Sequence, residues 1–288
     1  MKLTFVSGKG GVGKTTISLA LALRAAGRGE RILLAEANSE EQVARLLGRP
    51  PTGPVEKGLL PNLCGINIRP DRSFEEYVLL QLRSKLLYRA VFENRFVRNF
   101  IEATPGLADL MIVGKIYSLI DRYDRIIVDA PATGHGLALL QIAGIVASAV
   151  RIGPLQTHAS AIDGIVRDPA KTEIVIVTLP EEMPAAEAVE MGEKLGKEGL
   201  PLARVVLNQA VAPPLSRREQ EEFERLAEPG RDDPVFQAMK LELARAARSA
   251  LYRRRLETAF KKIPLAAVPF VPSPDFGLKE VEKIAAAL

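Results

Sequence analysis

The chain has 288 residues, 47% hydrophobic and 26% charged, enough apolar material for one large α/β domain or two small ones. Its one cysteine, Cys64, excludes a disulfide framework and a Cys-x-x-Cys metal site within a chain. The longest apolar run, Leu137 to Val150, is 14 residues, too short to cross a bilayer as a helix. Met1 runs straight into an apolar segment, so no secretory leader is expected and the expected location is cytoplasmic. A net charge of +4 and a pI near 9.2 suggest nucleic acid until the charges are placed. Seven bases (Arg245, Arg248, Arg253, Arg254, Arg255, Lys261 and Lys262) face one acid, Glu257, in a single late segment, while seven acids outnumber four bases from Arg217 to Asp233. Such a run reads as a solvated helix face, which disfavours a nucleic-acid partner.

The first predicted element is the strand Leu3 to Val6. It breaks at Ser7 into a glycine-rich turn, and a helical pattern opens at Thr15. Gly8 to Thr15 fits G-x-x-x-x-G-K-[ST], the phosphate-binding loop. Gly8, Gly10, Gly11 and Gly13, with Val12 among them, let the backbone curl so that its N–H groups face a phosphate. The helix that follows points its positive dipole end at the same anion. Lys14 is placed to meet the β- and γ-phosphates of ATP, Thr15 to hold Mg²⁺, and Thr16 to bond the α-phosphate.

Gly27 and Gly29 close the first helix, and Arg31 to Ala35 is a second buried strand ending in Glu36-Ala37-Asn38. A helical pattern over Glu40 to Leu47 leads into a loop, Gly48 to Pro61, and a short edge strand, Leu63 to Ile68. Phe74 to Arg122 is helical, with Tyr77, Leu80, Leu87, Val91, Phe92, Phe96 and Phe100 at three- and four-residue steps, interrupted at Thr104-Pro105-Gly106. The strand Asp124 to Asp129 ends in a carboxylate suited to Mg²⁺, and after the loop Pro131 to Gly136 comes an apolar helical stretch, Leu137 to Ile165. The last third alternates: strand Glu173–Thr178, helix Ala185–Lys197, strand Ala203–Leu207, a charged helical stretch Pro213–Lys262 broken at Pro229-Gly230 and Pro234, strand Ala266–Val271, helix Lys279–Leu288. Continuously apolar strands separated by helices predict an α/β protein, a mostly parallel sheet with helices on both faces. Residues 1–288 are expected to form one P-loop ATPase domain. The helical material of 74–122 and 137–165 exceeds a simple crossover and is expected to form an inserted subdomain above the carboxyl ends of the strands. From sequence, those apolar helices either line a groove for a hydrophobic helix or bury one another as ordinary core.

Several strings resemble one family. Lys9 inside K-G-G-x-G-K-T resembles the deviant Walker A loop shared by septum-site and partition ATPases, nitrogenase iron protein, and the arsenical-pump and tail-anchored-protein targeting ATPases. Asp129 to His135, D-A-P-A-T-G-H, is similar to the switch signature of the last two. Arg167-Asp168-Pro169, then V-I-V-T-L-P-E-E-M-P-A-A-E-A, and Val205 to Gln209 continue the likeness. The resemblance implies a P-loop NTPase that dimerises around ATP, as a homodimer or with a paralogous ATPase. Lys9 would reach the phosphates held by the partner, His135 would sit in a γ-phosphate-sensing switch, Asn208 would read adenine, and Pro272 would lie in a loop packed against the base. The family's aspartate that polarises the attacking water falls on Asn38, with Glu36 as the rival position, so slow turnover is expected. Cys64 alone speaks against arsenite activation, a zinc-linked dimer and a bridging iron–sulfur cluster. A nucleoid- or membrane-riding positioning ATPase, using the Arg253-Arg254-Arg255 cluster in the first case, and a weakly catalytic subunit of a hetero-oligomer remain as alternatives.

Overall fold

The computed structural model describes residues 1–37, 40–82, 106–131, 133–150, 152–226 and 233–288; of residues 77–82, 133–135 and 154 it describes the backbone alone. Eight strands form one sheet: β1 (Lys2–Ser7), β2 (Ile32–Ala37), β3 (Lys57–Leu60), β4 (Leu63–Ile68), β5 (Arg125–Asp129), β6 (Thr172–Thr178), β7 (Leu202–Ala210) and β8 (Leu265–Pro269). Their spatial order is β3-β4-β2-β5-β1-β6-β7-β8, and every pairing is parallel except β3 with β4. Parallel pairing requires crossovers, which here are helices covering both faces, and so the central strands are apolar throughout. Side chains still alternate: Leu3 and Phe5 of β1 enter one core, Val6 the other.

On one face lie α1 (Lys14–Ala26) and α10 (Leu278–Ala287), where Ile17, Leu19, Val281 and Ile284 pack with Val6, Val206 and Val268. On the other lie α4 (Leu107–Ser118), α5 (Thr133–Ala149), α6 (Pro154–Arg167), α7 (Glu182–Lys197) and α9 (Pro234–Ala259). Ala185, Ala188, Met191 and Leu195 form the buried stripe of α7, at the three- and four-residue spacing that puts side chains on one helix face. Each large aliphatic side chain buried this way stabilises the fold by about 1.5–3 kcal/mol. Two further helices, the short α2 (Gln42–Leu46) and α3 (Pro70–Leu82), follow β2 and β4, and α8 (Arg217–Leu226) precedes α9. No helix among the described residues is long and apolar enough to cross a membrane.

Three expectations differ from what is observed. The strand Leu63–Ile68 is not at the edge: Lys57–Leu60, part of the proline- and glycine-rich segment Gly48 to Pro61 expected to be a loop, pairs antiparallel outside it. The stretch Leu137–Ile165 is two helices, α5 and α6, parted at Gly153, whose φ of 115° suits glycine. The second expected loop, Pro131 to Gly136, is shorter, because α5 already begins at Thr133. In the expected subdomain, Leu87, Val91, Phe92, Phe96 and Phe100 lie outside the described residues, as do the side chains of Tyr77 and Leu80. The described part is core-forming: Leu110, Ile112, Ile116, Leu139 and Ile162 share one cluster with Phe5, Leu33 and Val128 of the sheet. In the basic segment, Arg245 pairs with Glu242 at 2.8 Å, Arg253 with Glu257 at 2.9 Å, and the Arg255 guanidinium lies 5.2 Å from the Tyr252 ring centre.

Candidate nucleotide site

Parallel register brings the chemistry to one edge. Val6 stands opposite Asp129, Asp129 opposite Glu36, and Ser7 opposite Ile176. The carboxyl ends of β1, β5 and β2 therefore deliver the glycine loop and both carboxylates to a single rim, where parallel α/β sheets hold ligands.

The loop is tightly seated. Gly8 has φ of 149°, and a Cβ there would stand 2.2 Å from the Val177 carbonyl oxygen of β6. Gly13 has φ of 89°, and its Cβ would meet Asn208 Nδ2 at 2.4 Å. Glycine is thus required twice over, by backbone conformation and by space. Between them Val12 is buried and anchors the loop in the α1-side core, while its carbonyl accepts a 2.9 Å hydrogen bond from Asn208 Nδ2. Gly13 also N-caps α1, where no side chain caps the helix and no acid occupies the first turn. The first-turn amides are consequently available to an anion.

Lys14 Nζ donates to the carbonyl of Lys9 at 3.0 Å. Thr15 Oγ1 donates to Asp129 Oδ2 at 2.6 Å, and Ser18 Oγ to Asp129 Oδ1 at 3.2 Å. Burial pushes the Asp129 carboxyl up, against the opposing pull of Thr15, Lys14 and Ser18. Burial likewise lowers the Lys14 ammonium, against the attraction of Asp129. The rim thus holds an under-solvated acid, which accepts from two hydroxyls, and an under-solvated base. Its oxygen donors, Thr15 and Asp129, suit a hard cation such as Mg²⁺, which keeps water and phosphate among its ligands. Among the described residues no three His, Cys, Asp or Glu side chains cluster to hold a metal unaided, so an ion of this kind would take its further ligands from the nucleotide and water.

These shifts give a testable sign. A carboxyl whose pKa is raised by folding favours the fold while protonated, and that contribution is lost as pH rises through the raised value. Asp129→Asn should therefore raise the thermal midpoint of the nucleotide-free protein at neutral pH. The gain should vanish below the ordinary carboxylate pKa of about 3.9. The same variant should lose the part of ATP affinity that depends on Mg²⁺. A lower midpoint at neutral pH, measured calorimetrically, would contradict the burial argument.

The remaining expected residues divide. Glu36 is 2% exposed, and its Oε1 accepts from the Val43 amide of α2 at 3.2 Å. Asn38 lies outside the described residues, and so does the side chain of His135. Pro272 is exposed in the loop after β8, and Thr16 is half-buried. Lys9 Nζ forms an ion pair with Glu187 of α7 in the same chain. Sequence reasoning missed two participants. Ser18 was legible as the residue one helical turn beyond Thr15 on the same face, and Glu187 lay inside a string quoted only for its likeness.

A parallel sheet whose central strand feeds this loop, with Asp129 on the neighbouring strand, defines a P-loop nucleotide-binding protein. Residues 1–160 match the model of the anion-transporting ATPase family, and the chain belongs to that family. It is similar to ATPase BagA of Mycobacterium tuberculosis, 31% identical over 226 residues that cover 73% of this chain and 66% of the relative. It is also similar to an arsenical pump-driving ATPase of Acidiphilium multivorum, at 26% identity, covering 77% of this chain and 43% of that protein. A third relative is ATPase GET3B of Arabidopsis thaliana, at 23% identity, covering 74% and 65%. The chain thus spans just under two thirds of the mycobacterial relative and less than half of the arsenical pump-driving one.

Proposed function

We infer that the chain is a cytoplasmic ATP-binding and ATP-hydrolysing switch, one domain over residues 1–288 carrying a helical insert, that pairs with a second chain when ATP is bound. The observation that carries this is the rim itself: Lys14 and the Thr15–Asp129 pair converge under an uncapped helix end. Gly8, Gly10, Gly11, Val12 and Gly13 supply the cradle, Lys14 meets the β- and γ-phosphates, and Thr16 meets the α-phosphate. Thr15 and Asp129 would hold Mg²⁺, which, when bound, neutralises phosphate charge. Asn208 keeps a second N–H and its carbonyl oxygen for adenine, with Pro272 beside the base. Lys9 acts on the phosphates of the second chain, either another copy or a paralogous ATPase. A partner protein with a hydrophobic helix is the client this reading favours. It is supported by an apolar cleft of about 230 Å³ lined by Leu110, Met111, Gly114, Leu155, Ala159 and Ile162. A cleft of that size receives side chains rather than a whole helix.

Turnover is slow in this account. Glu36 is buried and holds the Val43 amide, and the water-orienting role is therefore assigned to Asn38 in this reading. An amide orients water without accepting its proton, and general-base assistance is worth roughly 10²–10⁴-fold. Positioning and charge stabilisation sustain a residual rate through Lys9 and Lys14. Single-turnover hydrolysis tests this: Asn38→Asp should accelerate the reaction by about tenfold or more, with Glu36→Gln changing it less. A collapse in Glu36→Gln with Asn38→Asp unchanged moves the catalytic position to Glu36. No hydrolysis above background in any of these proteins contradicts the enzymatic reading.

A further inference from the structure

We propose that Glu187 is a positioning residue that latches Lys9 within its own chain, so that pairing of two ATP-loaded chains must first break the Lys9–Glu187 ion pair. The proposal rests on the reading that Lys9 acts on phosphates held by a second chain.

The geometry that brings the two together follows from the sheet. β1 and β6 are neighbours with Ser7 opposite Ile176, so the loop leaving β1 and helix α7 following β6 rise from adjacent strand ends. Gly8 lies so close to the Val177 carbonyl that a Cβ would not fit, which carries Lys9 toward α7. On α7, Ala185, Ala188 and Met191 are buried and fix the helix against the sheet, leaving Glu187 at its flank. The Lys9 and Glu187 side chains are 33% and 29% exposed, so the pair is neither a locked core contact nor a fully solvated one.

One residue then controls both ammonium groups of the loop. The Lys9 carbonyl receives Lys14 Nζ at 3.0 Å, while Lys9 Nζ is held by Glu187. A lysine ammonium is a compact point charge on a flexible stem. It cannot serve Glu187 in its own chain and a phosphate in another at once. Triphosphate entering the loop draws Lys14 off the Lys9 carbonyl, adds negative charge beside Glu187, and so weakens the latch where the switch needs it weakened. Because α7 bears the carboxylate, release of Lys9 also removes a tether between the nucleotide loop and the helical layer.

A partly exposed ion pair biases an equilibrium by roughly two- to fivefold. A two-fold pair of chains breaks two latches, so the combined bias is about 4–25-fold. The test is the dissociation constant of the paired state under a saturating non-hydrolysable ATP analogue, from light scattering over a dilution series. Glu187→Gln should tighten pairing about 4–25-fold, whereas Glu187→Asp, which keeps the carboxylate, should stay near the wild type. Lys9→Ala should lose pairing, and adding Glu187→Gln to it should recover nothing. An unchanged thermal midpoint in Glu187→Gln shows that the gain is not a general effect on the fold. Pairing that is unchanged or weaker in Glu187→Gln, while Lys9→Ala still abolishes it, overturns the latch and leaves the bridging role of Lys9 standing. Pairing intact in Lys9→Ala overturns the bridging role, and the latch with it.

Discussion

Lys14→Ala is expected to lower ATP affinity by a factor on the order of 10²–10⁴, because charge-assisted hydrogen bonds contribute about 1.5–3 kcal/mol each and Lys14 reaches two phosphates. Burial lowers the Lys14 pKa below the usual lysine value, against the attraction of Asp129, and its ammonium donates to the Lys9 carbonyl. Phosphate oxygens replace that single neutral acceptor with charged ones. The fold should not suffer, since a half-buried cation held down in pKa opposes folding whenever it is charged. The expected result in calorimetry is thus a lost binding isotherm with an unreduced thermal midpoint. ATP affinity in the wild type should also weaken as pH rises through the lowered Lys14 value, because only the ammonium donates three hydrogen bonds. Unchanged affinity in Lys14→Ala would remove the glycine loop from the account.

The legible parts of this protein are those written in local chemistry. The loop from Gly8 to Thr16 combines residue identity with strand and helix signals on either side, and the structure seats it as that pattern demands. Apolar strand cores such as Arg125–Asp129 and Thr172–Thr178 were equally readable, because parallel strands buried on both faces leave no polar alternation to interpret. The antiparallel strand Lys57–Leu60 was hidden because edge pairing depends on a partner rather than on its own proline- and glycine-rich surroundings. The break between α5 and α6 is written in the sequence as Gly153-Pro154, a turn-forming pair obscured by the apolar stretches on either side of it. Long-range side-chain partners are the least legible. Nothing local in Glu187 distinguishes it from Glu190 or Glu193 on the same helix; its contact with Lys9, 178 positions away, is created by strand adjacency. Asn208 shows the same limit, since its hydrogen bond to the loop at Val12 spans 196 positions.

The second large effect concerns Lys9. If its ammonium acts on the phosphates of a second chain, Lys9→Ala should keep ATP affinity within about threefold, since Lys14 and the loop amides remain. Turnover should fall by roughly 10³-fold, the scale on which a cation supplied in trans acts in phosphoryl transfer. A purely local lysine would give the reverse, with weaker binding and unaltered assembly. The same rim explains why the two properties separate: Thr15 and Asp129 are tied to each other, whereas Lys9 holds Lys14 through its carbonyl and Glu187 through its ammonium.

The most direct measurement is therefore light scattering of the full chain with and without a saturating non-hydrolysable ATP analogue and Mg²⁺, beside Lys9→Ala under the same conditions. The account predicts a shift of the wild type from the 31.3 kDa of one chain to twice that mass when the analogue binds, and no shift in Lys9→Ala although it binds the analogue. A wild type that stays at 31.3 kDa while saturated with the analogue, at high concentration and with no paralogous ATPase as partner chain, would contradict it.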